Sequence, residues 1–322
     1  MFDIIIIGAG PIGLAAALKA KRANLNYIVF DKGCIVSAIA NYPVNMTFFT
    51  TSERLEIGNH PFVTAIDKPT RKETLDYYRK VVDNEGLNIA LYSELVNIVK
   101  NTNGFELEVK NKNSKKKYQA KIVVLATGYF DNPNKLGVEG EDLPNFSHYY
   151  SEAHPYYRQK VTIIGAGSGA ADAALELFKA GAKVTIIHRG SDFKPSLKYW
   201  IRPNLENRVK EGSIIAHFNT VVKRIEIDKI IAVKDGQEIE ITTDQTFAQI
   251  GYFASAKFLQ QLGAQIDQAD MSAKMSEFYE TTVDNLFALG SAGFGTRTSD
   301  VFIENGLVQV EKAMPEIIKR LS

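Results

Sequence analysis

Cysteine is nearly absent from the chain, since Cys34 is the only one among 322 residues. A single cysteine cannot close an intramolecular disulfide, form a CxxC redox pair or bind zinc in a cysteine cluster. The chain also lacks an excess of charge of one sign, because 38 Lys and Arg stand against 37 Asp and Glu. This balance indicates neither a nucleic-acid partner nor a general acidic-surface partner.

Long hydrophobic runs are missing as well. The apolar run nearest the start, Ile4–Ile7, is far shorter than a membrane span and follows Asp3. It lacks the basic and long apolar regions of a signal peptide, so we expect a cytoplasmic protein with no membrane contact and a free thiol. The length suggests two domains or one large domain, and a charged fraction of 23% is ordinary for a globular protein.

A strand, a glycine turn and a helix open the chain. Phe2–Ile7 is β-branched and apolar, which is typical of a strand buried in a parallel sheet. The turn that follows has GxGxxG spacing, formed by Gly8, Gly10, Pro11 and Gly13. The next predicted strand ends in Asp31, whose carboxylate can accept hydrogen bonds from an adenosine ribose. This context predicts a dinucleotide site, because the glycines admit a pyrophosphate and the helix N-terminus stabilises its charge.

The same pattern returns later in the chain. Strand 161–164 leads into a GxGxxA-like turn, which consists of Gly165, Ala166, Gly167, Ser168, Gly169 and Ala170. The second strand of this copy ends in His188 and Arg189, without a carboxylate. An arginine binds a 2′-phosphate that an acid would repel, so this copy predicts NADPH rather than NADH. The alternative that Arg189 is an ordinary surface residue stays open. Lys194 and Lys198 either add positive charge to the site or are solvated.

Two dinucleotide sites in one chain predict electron transfer between a flavin at the first site and a nicotinamide at the second. Strand ends that face the cofactor are expected at Ala126, Thr127, Gly128 and Gly290. Between the two copies we expect a β-meander with Lys115–Lys117 at a hairpin tip. The stretch 132–145, which contains proline and glycine, predicts a linker.

These motifs make the chain resemble the flavoproteins with two dinucleotide-binding domains, in particular the thioredoxin-reductase-like group. The resemblance covers essentially the whole chain and implies an α/β fold with two Rossmann-like domains. It implies an FAD domain at 1–152 and 246–322, interrupted by an NADPH domain at 153–245. Thioredoxin reductases carry CxxC in the inserted domain, and this chain has no cysteine there, so that activity is excluded.

Scattered segments resemble more narrowly the YpdA-type group, which is regarded as NADPH-dependent bacillithiol-disulfide reductases. The segments are Asn41–Pro43, Thr47–Phe49, Glu152–Tyr156, Asp172–Leu177, Pro195–Trp200 and Phe302–Gly306. The resemblance implies a homo-oligomeric enzyme that passes a hydride from NADPH to FAD and electrons to a small disulfide. No metal is expected. Further cofactor contacts are expected at Lys32, Tyr42, Pro43, Thr47 and Phe302.

One departure from the group concerns its proposed reactive cysteine, which lies in a GPCG arrangement in the first glycine turn. This chain has Ile12 there, and isoleucine cannot form a mixed disulfide with a thiol substrate. Cys34 lies near the expected adenosine end of FAD, so we expect a buried structural thiol rather than a catalytic one. The catalytic residues stay unassigned, and the acceptor is expected to take electrons directly from the flavin.

Three alternatives remain open. A flavin monooxygenase shares both glycine turns and often has an FxGxxxH pattern between them, but here His148 occupies the glycine position and His154 is wrongly spaced. A ferredoxin or quinone reductase of the same fold also lacks CxxC. The third alternative is a non-catalytic, flavin-binding redox sensor, which the missing thiol at position 12 keeps open.

Overall fold

The computed structural model describes residues 1–321, which contain fifteen β-strands and seven α-helices. The strands are β1 (Phe2–Ile7), β2 (Tyr27–Phe30), β3 (Ile89–Ala90), β4 (Glu94–Asn101), β5 (Gly104–Lys110), β6 (Lys115–Leu125), β7 (Phe146–Ser147), β8 (Lys160–Ile164), β9 (Lys183–Ile187), β10 (Ile215–His217), β11 (Thr220–Ile225), β12 (Lys229–Lys234), β13 (Gln237–Thr242), β14 (Gln245–Ala248) and β15 (Leu286–Ala288). The helices are α1 (Pro11–Arg22), α2 (Ser37–Ala40), α3 (Arg71–Glu85), α4 (Ser168–Lys179), α5 (Arg202–Lys210), α6 (Lys257–Gln261) and α7 (Ile303–Leu321).

The chain divides into two compact units that are both discontinuous in sequence. The first consists of Met1–Ala40, Met46–Asn132 and the chain from Tyr252 onward, and the second consists of Asn41–Asn45 and Pro133–Gly251. The second unit therefore begins before and ends after the predicted range 153–245, and it also contains a short segment from the N-terminal part of the chain. The assignment of FAD to the first unit and NADPH to the second stays a prediction.

Strand pairing explains why the second unit is longer than the predicted range. β7 pairs in parallel with β14, so residues before position 153 supply the edge strand of its sheet. Glu139 forms a bridge with Arg224, and the Glu141 carboxylate accepts backbone N–H groups from residues 136–138. The stretch from Pro133 to Asn145 is thus part of the second unit, and the prediction of a linker there was wrong.

Asn41–Asn45 is held within the second unit by hydrogen bonds at its end. Val44 N donates to Ser151 O at 2.9 Å, and Asn45 Nδ2 donates to Glu176 Oε1 at 2.9 Å. The second unit is therefore assembled from two separate pieces of chain.

A mixed sheet forms the core of the first unit. Its parallel part has the order β3-β2-β1-β6-β15, and the N-terminal half of β6 continues into the antiparallel meander β6-β5-β4. Ile4, Ile5 and Ile6 of β1 are fully buried, as the apolar β-branched run predicts for a central parallel strand.

The meander differs from the prediction at its hairpin. Lys115–Lys117 begin β6 and do not form the tip, and two of these lysines pair across the strands with Glu108 and Glu106 at 3.0 and 2.8 Å. The tip is formed by residues around Asn111, whose side chain accepts the backbone N–H groups of Asn113 and Ser114. The turn is thus determined by the hydrogen bonds of an asparagine, and the lysine cluster was misleading.

The second unit contains a parallel sheet of order β10-β9-β8-β14-β7 and an antiparallel sheet of order β11-β12-β13. Helix α4 packs through an alanine-rich buried face, whose small side chains allow close approach to its neighbours. Each unit therefore contains a parallel β-α-β arrangement with a glycine turn after its first strand, which confirms the predicted α/β class. No helix within residues 1–321 is long and apolar enough to cross a membrane.

Candidate functional site

The first glycine turn joins β1 to α1 at the carboxyl edge of the mixed sheet. Gly8 has a φ of +111°, and a Cβ there would overlap the carbonyl oxygen of Ala126, which follows β6. A Cβ at Gly13 would overlap the carbonyl oxygen of Gly8. Glycine is therefore required at both positions for the turn to pack against the next parallel strand. We call this turn, with residues 126–128, the first cradle.

The first cradle has open space where a ligand would approach. A Cβ at Gly10 or Gly128 would have no neighbour within 4 Å in the described chain. Helix α1 begins at Pro11, and its N-cap has no side-chain hydrogen bond among residues 1–321. The first N–H groups of this helix, with the positive end of the helix dipole, thus fit a pyrophosphate such as that of FAD.

Asp31 follows β2 at the same edge and is 7% exposed. Its Oδ2 accepts the N–H of Ala9 and its Oδ1 accepts the N–H of Gly33, both at 2.7 Å. Burial raises the pKa of this carboxyl, and the two backbone donors oppose the shift. Asp31 therefore orders the glycine turn, and its contact with a ribose stays a prediction. The neighbouring Lys32 is ion-paired with Asp131 at 3.0 Å.

The Ile12 side chain packs against two glycines from distant parts of the first unit. A Cβ at Gly290 would lie 3.2 Å from Ile12 Cγ1, and a Cβ at Gly306 would lie 2.7 Å from Ile12 Cδ1. Gly290 follows β15, and Gly306 lies in the first turn of α7. Because Gly290 and Gly306 have no Cβ, they leave a space that the Ile12 side chain fills.

Gln309 belongs to the same region and was missed by the sequence analysis. It is 3% exposed, and its Oε1 accepts the N–H of Gly290 at 2.8 Å. The amide lies on the buried face of α7 beside Val310 and Ala313, where a polar side chain requires a partner. An amide on an otherwise apolar helix face is the signal that would have found it.

The other predicted flavin contacts are dispersed. Thr47 forms an isolated bridge with Thr70, and Phe302 is 47% exposed with its ring 5.4 Å from that of Phe49. Tyr42 and Pro43 belong to the second unit, so the structure does not group them with the first cradle. It does bring the first glycine turn, residues 126–128 and Gly290 together.

Cys34 is a free thiol of intermediate exposure. The prediction of a buried thiol was wrong, because this residue lies in the turn beyond β2 instead of in the core of the sheet. That turn is ordered by Asp31, which accepts the N–H of Gly33.

The second glycine turn repeats the steric arrangement of the first. Gly165 has a φ of +132°, and a Cβ there would overlap the carbonyl oxygen of Gln249, which follows β14. A Cβ at Gly169 would lie 3.3 Å from Gln249 Oε1, and the Gln249 amide donates to the carbonyl of His148 at 3.0 Å. Gln249 is a contact of the turn that the motif did not reveal. We call this turn, residues 165–170, the second cradle.

The second cradle also ends at an uncapped helix. The N-cap of α4, Gly167, has no side-chain hydrogen bond in the part of the chain that the structure describes. Ser168 instead accepts the N–H of Lys198 at 3.3 Å, and Ala170 is buried against the sheet. The free N–H groups at the start of α4 fit a second pyrophosphate.

His188 and Arg189 follow β9 at the edge that carries the second cradle. Arg189 is exposed and has no ion-pair partner within residues 1–321. Burial and then the positive charges of Lys194 and Arg189 lower the pKa of His188, so its imidazole is neutral near pH 7. The positive charges of Lys194 and Arg189 both act on His188, which favours an anion at this edge of the second unit.

Comparison with known proteins agrees with this pair of cradles. The model of the pyridine nucleotide-disulphide oxidoreductase family matches residues 5–290. The protein is therefore an oxidoreductase of the thioredoxin-reductase-like class of flavoproteins, which use FAD and NADPH.

Three relatives narrow the class. Bacilliredoxin reductase Bdr of Bacillus subtilis (strain 168) is 39% identical over 98% of this chain and 97% of its own. The bacillithiol disulfide reductase Bdr (YpdA) from Bacillus cereus superposes with a TM-score of 0.96 at 40% identity, with 99% of each chain covered. The corresponding protein from Staphylococcus aureus has a TM-score of 0.92 at 37% identity, with 99% of this chain and 98% of that chain covered. The chain belongs to the bacillithiol disulfide reductase (Bdr, YpdA) family.

Two alanine variants should separate folding from cofactor binding at the first cradle. Gly8→Ala forces a Cβ onto a carbonyl oxygen, so we expect a lower Tm of the apoprotein and loss of FAD. Gly10→Ala has open space, so the apoprotein Tm should stay within about 2 °C. Its Kd for FAD should rise about tenfold or more, because the methyl group blocks the approach of the phosphates. Thermal unfolding and a flavin fluorescence titration measure both quantities, and an equal loss of Tm in both variants would contradict the cradle.

Proposed function

We propose that the protein is an NADPH-dependent flavoprotein that reduces a low-molecular-weight disulfide of the bacillithiol type. The observation that carries the proposal is the presence of two uncapped glycine cradles in a chain that matches bacillithiol disulfide reductases over nearly its whole length. Bound FAD would accept a hydride from NADPH and pass two electrons to the acceptor. NADPH, one proton and one disulfide would thus give NADP⁺ and two thiols.

The residues of the two cradles divide the binding task. The first cradle and the Asp31 edge would hold FAD, with the N–H groups at the start of α1 on its pyrophosphate. The second cradle would hold the NADPH pyrophosphate at the start of α4, and Arg189 would bind the 2′-phosphate. The nearby neutral His188 would be able to accept or donate a hydrogen bond without adding charge. These roles are supported by the open space at Gly10 and Gly128 in the first cradle and by the uncapped helix ends at both turns.

The chain itself provides no pair of thiols for electron relay. Position 12 holds an isoleucine packed against Gly290 and Gly306, and the only cysteine lies beyond β2. A disulfide acceptor would therefore have to meet the flavin itself. The chain would contribute by binding and orienting both partners, and the homo-oligomer expected from the resemblance stays a prediction.

An anaerobic acceptor test addresses this function. We expect NADPH to bleach the flavin of the holoenzyme, and bacillithiol disulfide to restore its absorbance with two thiols formed per NADPH consumed. If only a bacilliredoxin disulfide restores the absorbance of the bleached flavin, the electron acceptor is a protein. Bleaching that is reversed by oxygen, with an oxygenated product and no thiol formation, would favour the monooxygenase. Absence of bleaching would leave only the redox-sensor alternative.

Ile12→Cys should raise disulfide reductase activity, because it introduces a thiol at the position where the resemblance places one. The smaller side chain leaves part of the space at Gly290 and Gly306 empty, so we expect a stability loss of about 1 kcal/mol. Ile12→Ala is the matched control, since it opens similar space without a thiol. Steady-state NADPH oxidation with bacillithiol disulfide measures the effect. An equal gain in both variants would mean that access, and not the thiol, limits the reaction.

Arg189→Ala should raise the KM for NADPH about tenfold or more and leave the KM for NADH nearly unchanged, because only NADPH carries the 2′-phosphate. Initial-rate kinetics with both nucleotides measure the ratio. Equal increases for NADPH and NADH would remove the proposed role of this guanidinium.

A further inference from the structure

Arg202, the first residue of α5, holds the loop that follows β9. Its Nη2 donates to the carbonyl oxygens of Phe193 and Lys194, both at 3.1 Å. Its Nη1 lies 2.8 Å from Glu206 Oε1 and 3.5 Å from Asp192 Oδ2. The side chain thus uses the planar fork of a guanidinium, which a lysine ammonium cannot reproduce.

The loop held by Arg202 is attached to the second cradle. Lys194 N donates to the carbonyl of Ala166, in the middle of the glycine turn, at 3.1 Å. The Lys194 stem passes beside the turn, since its Cδ would lie 3.9 Å from a Cβ at Gly167. Phe193 is buried and its ring contacts that of Phe218 at 5.0 Å. The position of Lys194 is therefore determined by these contacts and by the two carbonyl hydrogen bonds of Arg202.

The charges beside this loop also favour an anion at Lys194. Lys194 has no ion-pair partner among residues 1–321, and its charge acts on His188 together with that of Arg189. The charge of the Asp192 carboxylate acts on the pKa of His188 in the opposite sense. Arg202 lies beside that carboxylate, so it compensates the negative charge that would otherwise repel an anion at this edge.

We propose that Arg202 is a positioning residue that sets the preference for NADPH over NADH. It holds Lys194 where the 2′-phosphate would bind, and it neutralises Asp192. The inference rests on the proposed NADPH site at the second cradle. Arg202 acts on the site through the loop, because both of its Nη groups contact the loop or Glu206. NADH has no 2′-phosphate, so its binding is insensitive to both effects.

Calorimetric titration of the holoenzyme with NADP⁺ and with NAD⁺ tests the proposal without turnover. Arg202→Lys keeps the positive charge but cannot donate to two carbonyls and two carboxylates in one plane. We expect its Kd for NADP⁺ to rise about tenfold and its Kd for NAD⁺ to change by less than about twofold. Arg224→Lys is the control, since Arg224 pairs with Glu226 in the same unit, and both constants should stay at the wild-type values.

Coupling distinguishes positioning from a general structural role. Lys194→Gln alone should raise the Kd for NADP⁺ and leave the Kd for NAD⁺ nearly unchanged. When Arg202→Lys is added to Lys194→Gln, the Kd for NADP⁺ should rise only about twofold further. Equal weakening of NADP⁺ and NAD⁺ by Arg202→Lys would overturn the proposal, as would unchanged NADP⁺ binding by Lys194→Gln. The second outcome decides the question even if Arg202→Lys does not fold. A wild type that binds neither dinucleotide would instead reject the proposed function. A wild-type preference for NADP⁺ that persists in Arg202→Lys would reject only this inference.

Discussion

A backbone carbonyl that approaches too closely to admit a Cβ fixes each of the two cradles. In the first unit the carbonyl of Ala126 lies against Gly8, and in the second the carbonyl of Gln249 lies against Gly165. Both glycines have positive φ, and each contact joins the turn to the next parallel strand of its sheet. The start of the following helix is thereby fixed relative to the sheet edge, which leaves its N–H groups directed at one place. The two turns share this arrangement because each packs tightly against its sheet and leaves the start of its helix without a side-chain cap.

This constraint also explains which parts of the molecule could be predicted from sequence. Where the packing leaves no room for a Cβ, the sequence must have glycine, so the spacing of the glycines located both turns. The apolar run located β1, whose isoleucines are buried. The extent of the second unit could not be predicted in this way. Its edge strand β7 has two residues, and only the distant pairing with β14 makes it a strand. The partner of Gly290 was hidden for a similar reason, because Gln309 is far away in sequence.

Position 12 shows how packing and chemistry constrain one another. In the described fold Ile12 occupies a gap whose walls include Gly290 and Gly306, and Gln309 hydrogen-bonds to the backbone of the first of these glycines. Gly306 lies in the first turn of α7, and a glycine in a helix costs up to about 1 kcal/mol relative to alanine. The interlocking of the isoleucine with both glycines offsets part of that cost through buried contact. At position 12 a packed hydrocarbon side chain therefore lies where the family resemblance places a thiol.

The short segment Asn41–Asn45 has a consequence for how this protein can be dissected. Its backbone and an asparagine side chain supply donors to Ser151 and Glu176 of the second unit, although the segment lies far upstream in the chain. An isolated fragment 133–251 would lack both of these donors. Excision at two peptide bonds therefore cannot release the intact module. A fusion that joins residues 41–45 to this fragment through a designed linker would retain both donors.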